Sequence, residues 1–127
     1  MSDTNFLEHA YALDSAGLLW QPEVGDEVAE RENPEQISIL INSAGYTPKE
    51  LREMFLWLPR LEQLVMQIEM RQAILCHAGL ELTKKQMFYR AVLKAHCGQI
   101  EGMDRSLRGA IAKTLRELIL VDTSTLH

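Results

Sequence analysis

Residues 73–96, AILCHAGLELTKKQMFYRAVLKAH, decide the fold class of this chain. Read as helices, they offer a break at Gly79 and a capping box from Thr83 to Gln86. Read as a hairpin that turns at Thr83–Gln86, they can be tested by register. Pairing Leu82 with Met87 carries Leu80 to Tyr89, Ala78 to Ala91, Cys76 to Leu93 and Ile74 to Ala95. These residues are all apolar or weakly polar, and they share one face. The other face receives Leu75, His77, Gly79 and Glu81 against Lys94, Val92, Arg90 and Phe88. A slip of one residue would scramble the sorting, which is the behaviour expected of paired strands. The fold expected is therefore α+β: a single small antiparallel sheet with two helices packed on it, plus an N-terminal helix. An all-α helical bundle is the alternative. In the hairpin register Cys76 belongs to the core.

The flanking segments supply the other elements. Phe6, Leu7, Ala10 and Leu13 fall at helical spacing over residues 4–16, and Gly17 follows as a stop. This first helix is expected to cap an edge of the sheet. WQPEVGDEV breaks the pattern with Pro22 and Gly25-Asp26, a turn leading into a short strand. Residues 33–45 fit two descriptions. Asn33, Pro34 and apolar Ile37, Leu40, Ile41 and Ala44 suit a helix closed by Gly45, while the isoleucines of ISILI suit a strand. MFLW should be extended, because the residue before Pro59 avoids the helical region. A helix then carries Leu61, Leu64, Val65 and Ile68 on one face. From Asp104 a last helix aligns Leu107, Ile111, Leu115 and Leu118, with Arg105, Arg108 and Arg116 opposite. It should end near Val121, leaving 122–127 as a disordered tail. The whole chain, 1–127, reads as one domain.

The phrase L-W-x-P occurs twice, at Leu19–Pro22 and Leu56–Pro59, and holds both tryptophans. Each Trp stands two residues before a Pro that ends an extended run. The sequences diverge immediately afterwards, so the repetition reads as chance or a shared packing need rather than a duplicated ligand site. Trp57 and Leu61 are expected to be buried where helix meets sheet.

Hydrophobic residues at 46% and charged residues at 24% fit a soluble globular chain and exclude a disordered one. Apolar runs as short as FLWL exclude a membrane-spanning segment. An acidic N-terminus without a basic and apolar leader, together with two cysteines, points to a cytoplasmic protein with free thiols. The net charge of −5 is unevenly distributed, with −8 over residues 1–35 and +3 over the rest. Such a split suits self-association as well as a nucleic-acid face.

AGLLWQPEVGD, FLWLPRLEQLVMQIEMR, YRAVLKAHCG and SLRGAIAKTLREL, in that order, resemble a group of small uncharacterised phage and prophage proteins. The resemblance covers roughly half of the chain, and the segment 30–53 is longer here. It implies an α+β fold and a mobile-element origin, and it carries no activity.

Reactive constellations are hard to find. Cys76-His77 and His96-Cys97 have the residue types of a zinc site. Adjacent strand residues point to opposite faces, however, and in paired helices the two motifs would lie roughly 20 Å apart. The same mismatch argues against a disulfide. No nucleophile elbow or phosphate loop occurs. The expectation is no enzyme, with no catalytic, cofactor-binding or metal-binding residue. The functional signal that remains is basic: Arg105, Arg108, Lys113 and Arg116, with Lys84, Lys85, Arg90 and Lys94 nearby. Two functions follow as expectations. One is a non-enzymatic accessory protein of phage or prophage origin that binds a protein partner or itself, as a homodimer. The other is a nucleic-acid-binding regulator whose basic helix face contacts phosphates.

Overall fold

Helix α1 (Ser2–Ala16) ends where the sequence puts its stop. Gly17 adopts φ +107°, a conformation that costs glycine little. Its amide donates to the Asp14 carbonyl while the Leu18 amide donates to the Leu13 carbonyl, closing the helix with a Schellman motif. The computed structural model describes the backbone of residues 2–125 and the side chains of residues 6–122. Chain contacts divide it into two compact units, Met1–Pro59 and Arg60–His127.

The first unit holds a small sheet of β1 (Glu27–Glu30), β2 (Ile37–Ile39) and β3 (Phe55–Trp57), in the antiparallel order β2-β1-β3. The strand expected after Gly25-Asp26 is β1. The ambiguous segment 33–45 resolves to the short strand β2, and Ile41 beyond it is largely exposed. The N-terminal helix touches the edge strand β3, as expected. Trp20, Val28, Leu40 and Leu51 form the buried cluster, with Phe55 and Trp57 packed against it.

Helix α2 (Pro48–Met54), which the sequence reading missed, delivers Leu51 to that cluster. It starts with a reciprocal cap. The Glu50 amide donates to Thr47 Oγ1 at 3.2 Å, and the Thr47 amide donates to Glu50 Oε1 at 2.9 Å. The Thr47 amide, and after it the Thr47 hydroxyl, hold the Glu50 carboxyl below its ordinary value. A carboxyl lowered on folding contributes stability above the ordinary carboxylate range and loses it as pH falls through the folded value. Thr47→Ala is expected to cost about 1 kcal/mol in urea unfolding at neutral pH, with a smaller difference from the wild type in acid.

The second unit begins with α3 (Leu61–Met70), where the Arg60 amide donates to Gln63 Oε1 at 2.8 Å. It continues through β4 (Ile74–Leu82), β5 (Met87–Ala95), β6 (Gly98–Asp104) and α4 (Leu107–Thr125). The strands pair in chain order, β4-β5-β6, all antiparallel. The fold is thus α+β, but with two small sheets in place of the single one expected. The hairpin takes its third strand locally, from β6, and so leaves no central place for the N-terminal strands. β6 was absent from the sequence reading, which started the last helix at Asp104.

The hairpin register agrees with expectation at Leu82–Met87, Leu80–Tyr89 and Ala78–Ala91, then shifts. A β-bulge at Cys76 sets Leu75 opposite Leu93 and Ile74 opposite Lys94. The extra residue turns Leu75 toward the fully buried Leu93 and leaves Cys76 exposed, so the core role expected for Cys76 is corrected. Two further corrections concern Trp57, which is only half-buried, and Leu61, which is exposed. On α3 the buried residues are Leu64 and Ile68.

Of the expected stripe, helix α4 buries Ile111, Leu115 and Leu118, while Leu107 is half-buried. Ser106 caps it, its Oγ accepting from the Gly109 amide at 2.9 Å. The helix continues to Thr125, past the end expected at Val121, while residues 126–127 of the expected tail lie outside the described residues. Its backbone comes so close to β6 that a Cβ on Gly102 would stand 2.7 Å from the Ala110 carbonyl oxygen.

Candidate interaction surface

The position of Gly102 under α4 identifies the two faces of the second sheet. Gly102 pairs with Ala91, and strand alternation puts Leu93, Tyr89, Ala78, Leu80, Leu82 and Met87 on the same side. Arg90, Lys94, Glu101, His77 and Glu81 turn away from the helix. Across that second face Arg90, on the central strand, reaches both edges. It pairs with Glu81 of β4 at 3.2 Å and with Glu101 of β6, and the two carboxylates raise the guanidinium pKa, Glu101 more strongly. His77 Nε2 stands 3.5 Å from the same Glu81 carboxylate.

This arrangement separates the basic residues that the sequence set together. Arg90 and Lys94 lie on the sheet face opposite α4, while Lys84 and Lys85 sit exposed at the hairpin tip. Arg105 precedes α4 and is not on its face, contrary to the helix boundary expected. Lys113 donates to the Met103 carbonyl at 2.7 Å and pairs with Asp104 at 3.3 Å. Arg116 stands 3.5 Å from Glu117. Arg108 is half-buried. Lys113 and Arg116 do share an open groove beside β6, but Glu101 and Glu117 line it too. The result is a surface of mixed sign, unlike the single-signed stripe that phosphate binding favours.

Cys76 and Cys97 are free and exposed. Among the described residues, no group of three or more His, Cys, Asp and Glu is placed to hold a metal ion. No helix among them is long and apolar enough to cross a membrane.

The two L-W-x-P phrases meet in the first unit. Trp20 and Trp57 line one cleft with Asp14, Arg31 and Arg52. Arg31 pairs with Asp14 at 3.3 Å and donates Nε–H to the Arg52 carbonyl, while Arg52 donates to the Trp20 carbonyl. The cleft holds about 70 Å³, room for a water or two and far below a typical ligand pocket. These arginines serve to fasten the segments together. The sequence reading missed the cluster, although Arg31 is the lone base in an acidic stretch.

The least expected feature is the edge strand β4. It pairs with β5 alone in its sheet. Leu80 is 48% exposed, Leu82 72%, and Met87 across the hairpin 65%. These three share the sheet side that carries α4, beyond the position where the helix begins. The backbone is equally open. The hairpin is closed by the Thr83 amide donating to the Gln86 carbonyl at 2.8 Å. Bonded and non-bonded pairs alternate from there, so Ala78, Leu80 and Leu82 point their amides and carbonyls away from β5. Long apolar edges are usually blocked by charge, proline or a bulge. Here the bulge lies at one end, at Cys76, and residues 77–82 remain regular.

No protein-family model, no curated protein and no solved structure matches this chain.

Proposed function

We propose that the protein is a non-enzymatic accessory protein, of phage or prophage origin, that acts by binding a protein partner, a second copy of itself included, through the open edge of its second sheet. The observation that carries this reading is the nine-residue strand β4, with outward backbone groups and exposed Leu80 and Leu82. An added strand would satisfy those amides and carbonyls, and the leucines would supply apolar contact, the usual combination in recognition by strand addition. The mixed charge around Lys113 and Arg116 makes the nucleic-acid reading the weaker one.

The experiment is a pull-down of tagged protein from native host extract, with and without nuclease, beside a Leu80→Lys/Leu82→Lys variant. A protein bound by the wild type should survive nuclease and be lost from the variant, whose melting curve should stay close to the wild type. Recovery of nucleic acid, abolished by Arg108→Glu/Arg116→Glu and indifferent to the leucines, would replace this reading with the basic-face one.

A further inference from the structure

Resting on the reading that β4 is a docking edge, we infer that its occupant is the β4 of a second copy of this chain, paired antiparallel about a two-fold axis at Gly79. The register follows from three constraints. First, Ala78, Leu80 and Leu82 carry the outward hydrogen-bonding groups, so even-numbered residues must meet even-numbered residues. Ala78 of one copy then exchanges bonds with Leu80 of the other, and the reverse pair does the same. Second, paired residues in antiparallel strands point to the same side, so Ala78, Leu80 and Leu82 of both copies continue one apolar surface. Pairing even-numbered with odd-numbered residues would join the apolar side of one copy to the charged side of the other.

Third, the charged side selects among the registers that remain. About Gly79, His77 of each copy faces Glu81 of the other, an imidazole donor against a carboxylate, and the symmetry makes this pair twice. Moving the axis to Ala78 sets Glu81 opposite Leu75, which the bulge turns to the other face. Moving it to Leu80 sets Glu81 opposite Gly79. An axis at Glu81 would oppose two carboxylates. Only the Gly79 axis matches hydrogen bonds, apolar contacts and charge together. The bulge at Cys76 and the turn at Thr83 bound the pairing on either side. Such an isologous contact is self-complementary and closes at two copies.

The axis residue supplies the test. Gly79 faces its own symmetry mate as a non-bonded pair, with Cα atoms about 4.5 Å apart, a distance a disulfide can span. A Cβ there meets nothing nearer than 3.6 Å, from the His77 ring. Gly79→Cys, in a Cys76→Ser/Cys97→Ser background, should form a covalent dimer under mild oxidation. Val24→Cys, exposed in the first unit, is the control and should not. By light scattering, the unmodified chain should rise toward twice its monomer mass with concentration. Leu80→Pro, which removes an outward amide and no bond to β5, should hold it at the monomer mass. If Leu80→Pro fails to fold, Leu80→Lys serves the same purpose. A chain that stays monomeric throughout, with no linkage above the Val24→Cys control, overturns the proposal. If the pull-down then still shows a partner dependent on Leu80 and Leu82, the docking edge stands with a different occupant.

Discussion

Gly102→Val is expected to destabilise the second unit by about 3 kcal/mol, read as a lower urea midpoint. The cause is contact between backbones. A Cβ on Gly102 would approach the Ala110 carbonyl oxygen to 2.7 Å, Thr114 Cγ2 to 3.0 Å and Lys113 Cβ to 3.1 Å. A flexible side chain could move aside, but the Ala110 carbonyl belongs to a helix anchored by Ile111, Leu115 and Leu118. Gly102→Ala should already cost most of this, because the first added carbon makes the clash. Gly79→Ala, in the same sheet, should change little. A Gly102→Val protein with an unaltered midpoint would mean that α4 does not press on β6 as described.

The second large effect separates the two tryptophans. Trp20 is 4% exposed, and its Nε1–H donates to the buried Asp26 carboxylate at 2.8 Å, which also accepts from the Glu23 amide at 3.0 Å. Trp20→Ala should cost about 3–5 kcal/mol through lost packing. Trp20→Phe should still cost about 1–3 kcal/mol, because the carboxylate loses its indole donor. Trp57 differs. Its Nε1 is buried and has no hydrogen-bond partner among the described residues. Trp57→Phe removes that unmet donor and should leave stability unchanged or raise it by up to about 1 kcal/mol. Urea unfolding of the three variants decides the matter. Equal losses for Trp20→Phe and Trp57→Phe would show that the Asp26 bond contributes nothing. The repeated L-W-x-P phrase thus serves two unequal positions in one small core.

Local chemistry made part of this fold legible. Gly17 announced the end of α1, the Leu107–Leu118 stripe announced α4, and side-chain sorting located the β4–β5 hairpin to the correct pairs near its turn. The failures share a physical origin. A bulge changes which residue faces inward without changing composition, so the pattern through Ile74, Cys76 and Ala78 gave no sign that Leu75 would turn in. β6 has Gly98 and Gly102 where a strand normally has branched side chains. Gly102 is explained by the helix above it, a long-range requirement no local window contains. Helix α2 spans only Pro48–Met54, too short for periodicity to register, although Thr47 and Glu50 had the spacing of a capping box. The dispersal of the basic residues has a related reason. Arg90 and Lys94 fall on the sheet face away from α4, where Glu81 and Glu101 pair with Arg90, while Asp104 pairs with Lys113 of α4.

The two sheets also differ in how the chain must travel to build them. In the second unit each strand meets its neighbour after a tight turn, so little loop-closure entropy stands between the unfolded chain and a complete sheet. In the first, β2 meets β1 soon after Glu30, but the strand on the other side of β1 arrives only at Phe55, after α2 has formed on the way. Low contact order favours speed. The meander of β4, β5 and β6 is therefore expected to form first, with its β4 edge open while the N-terminal sheet still lacks β3.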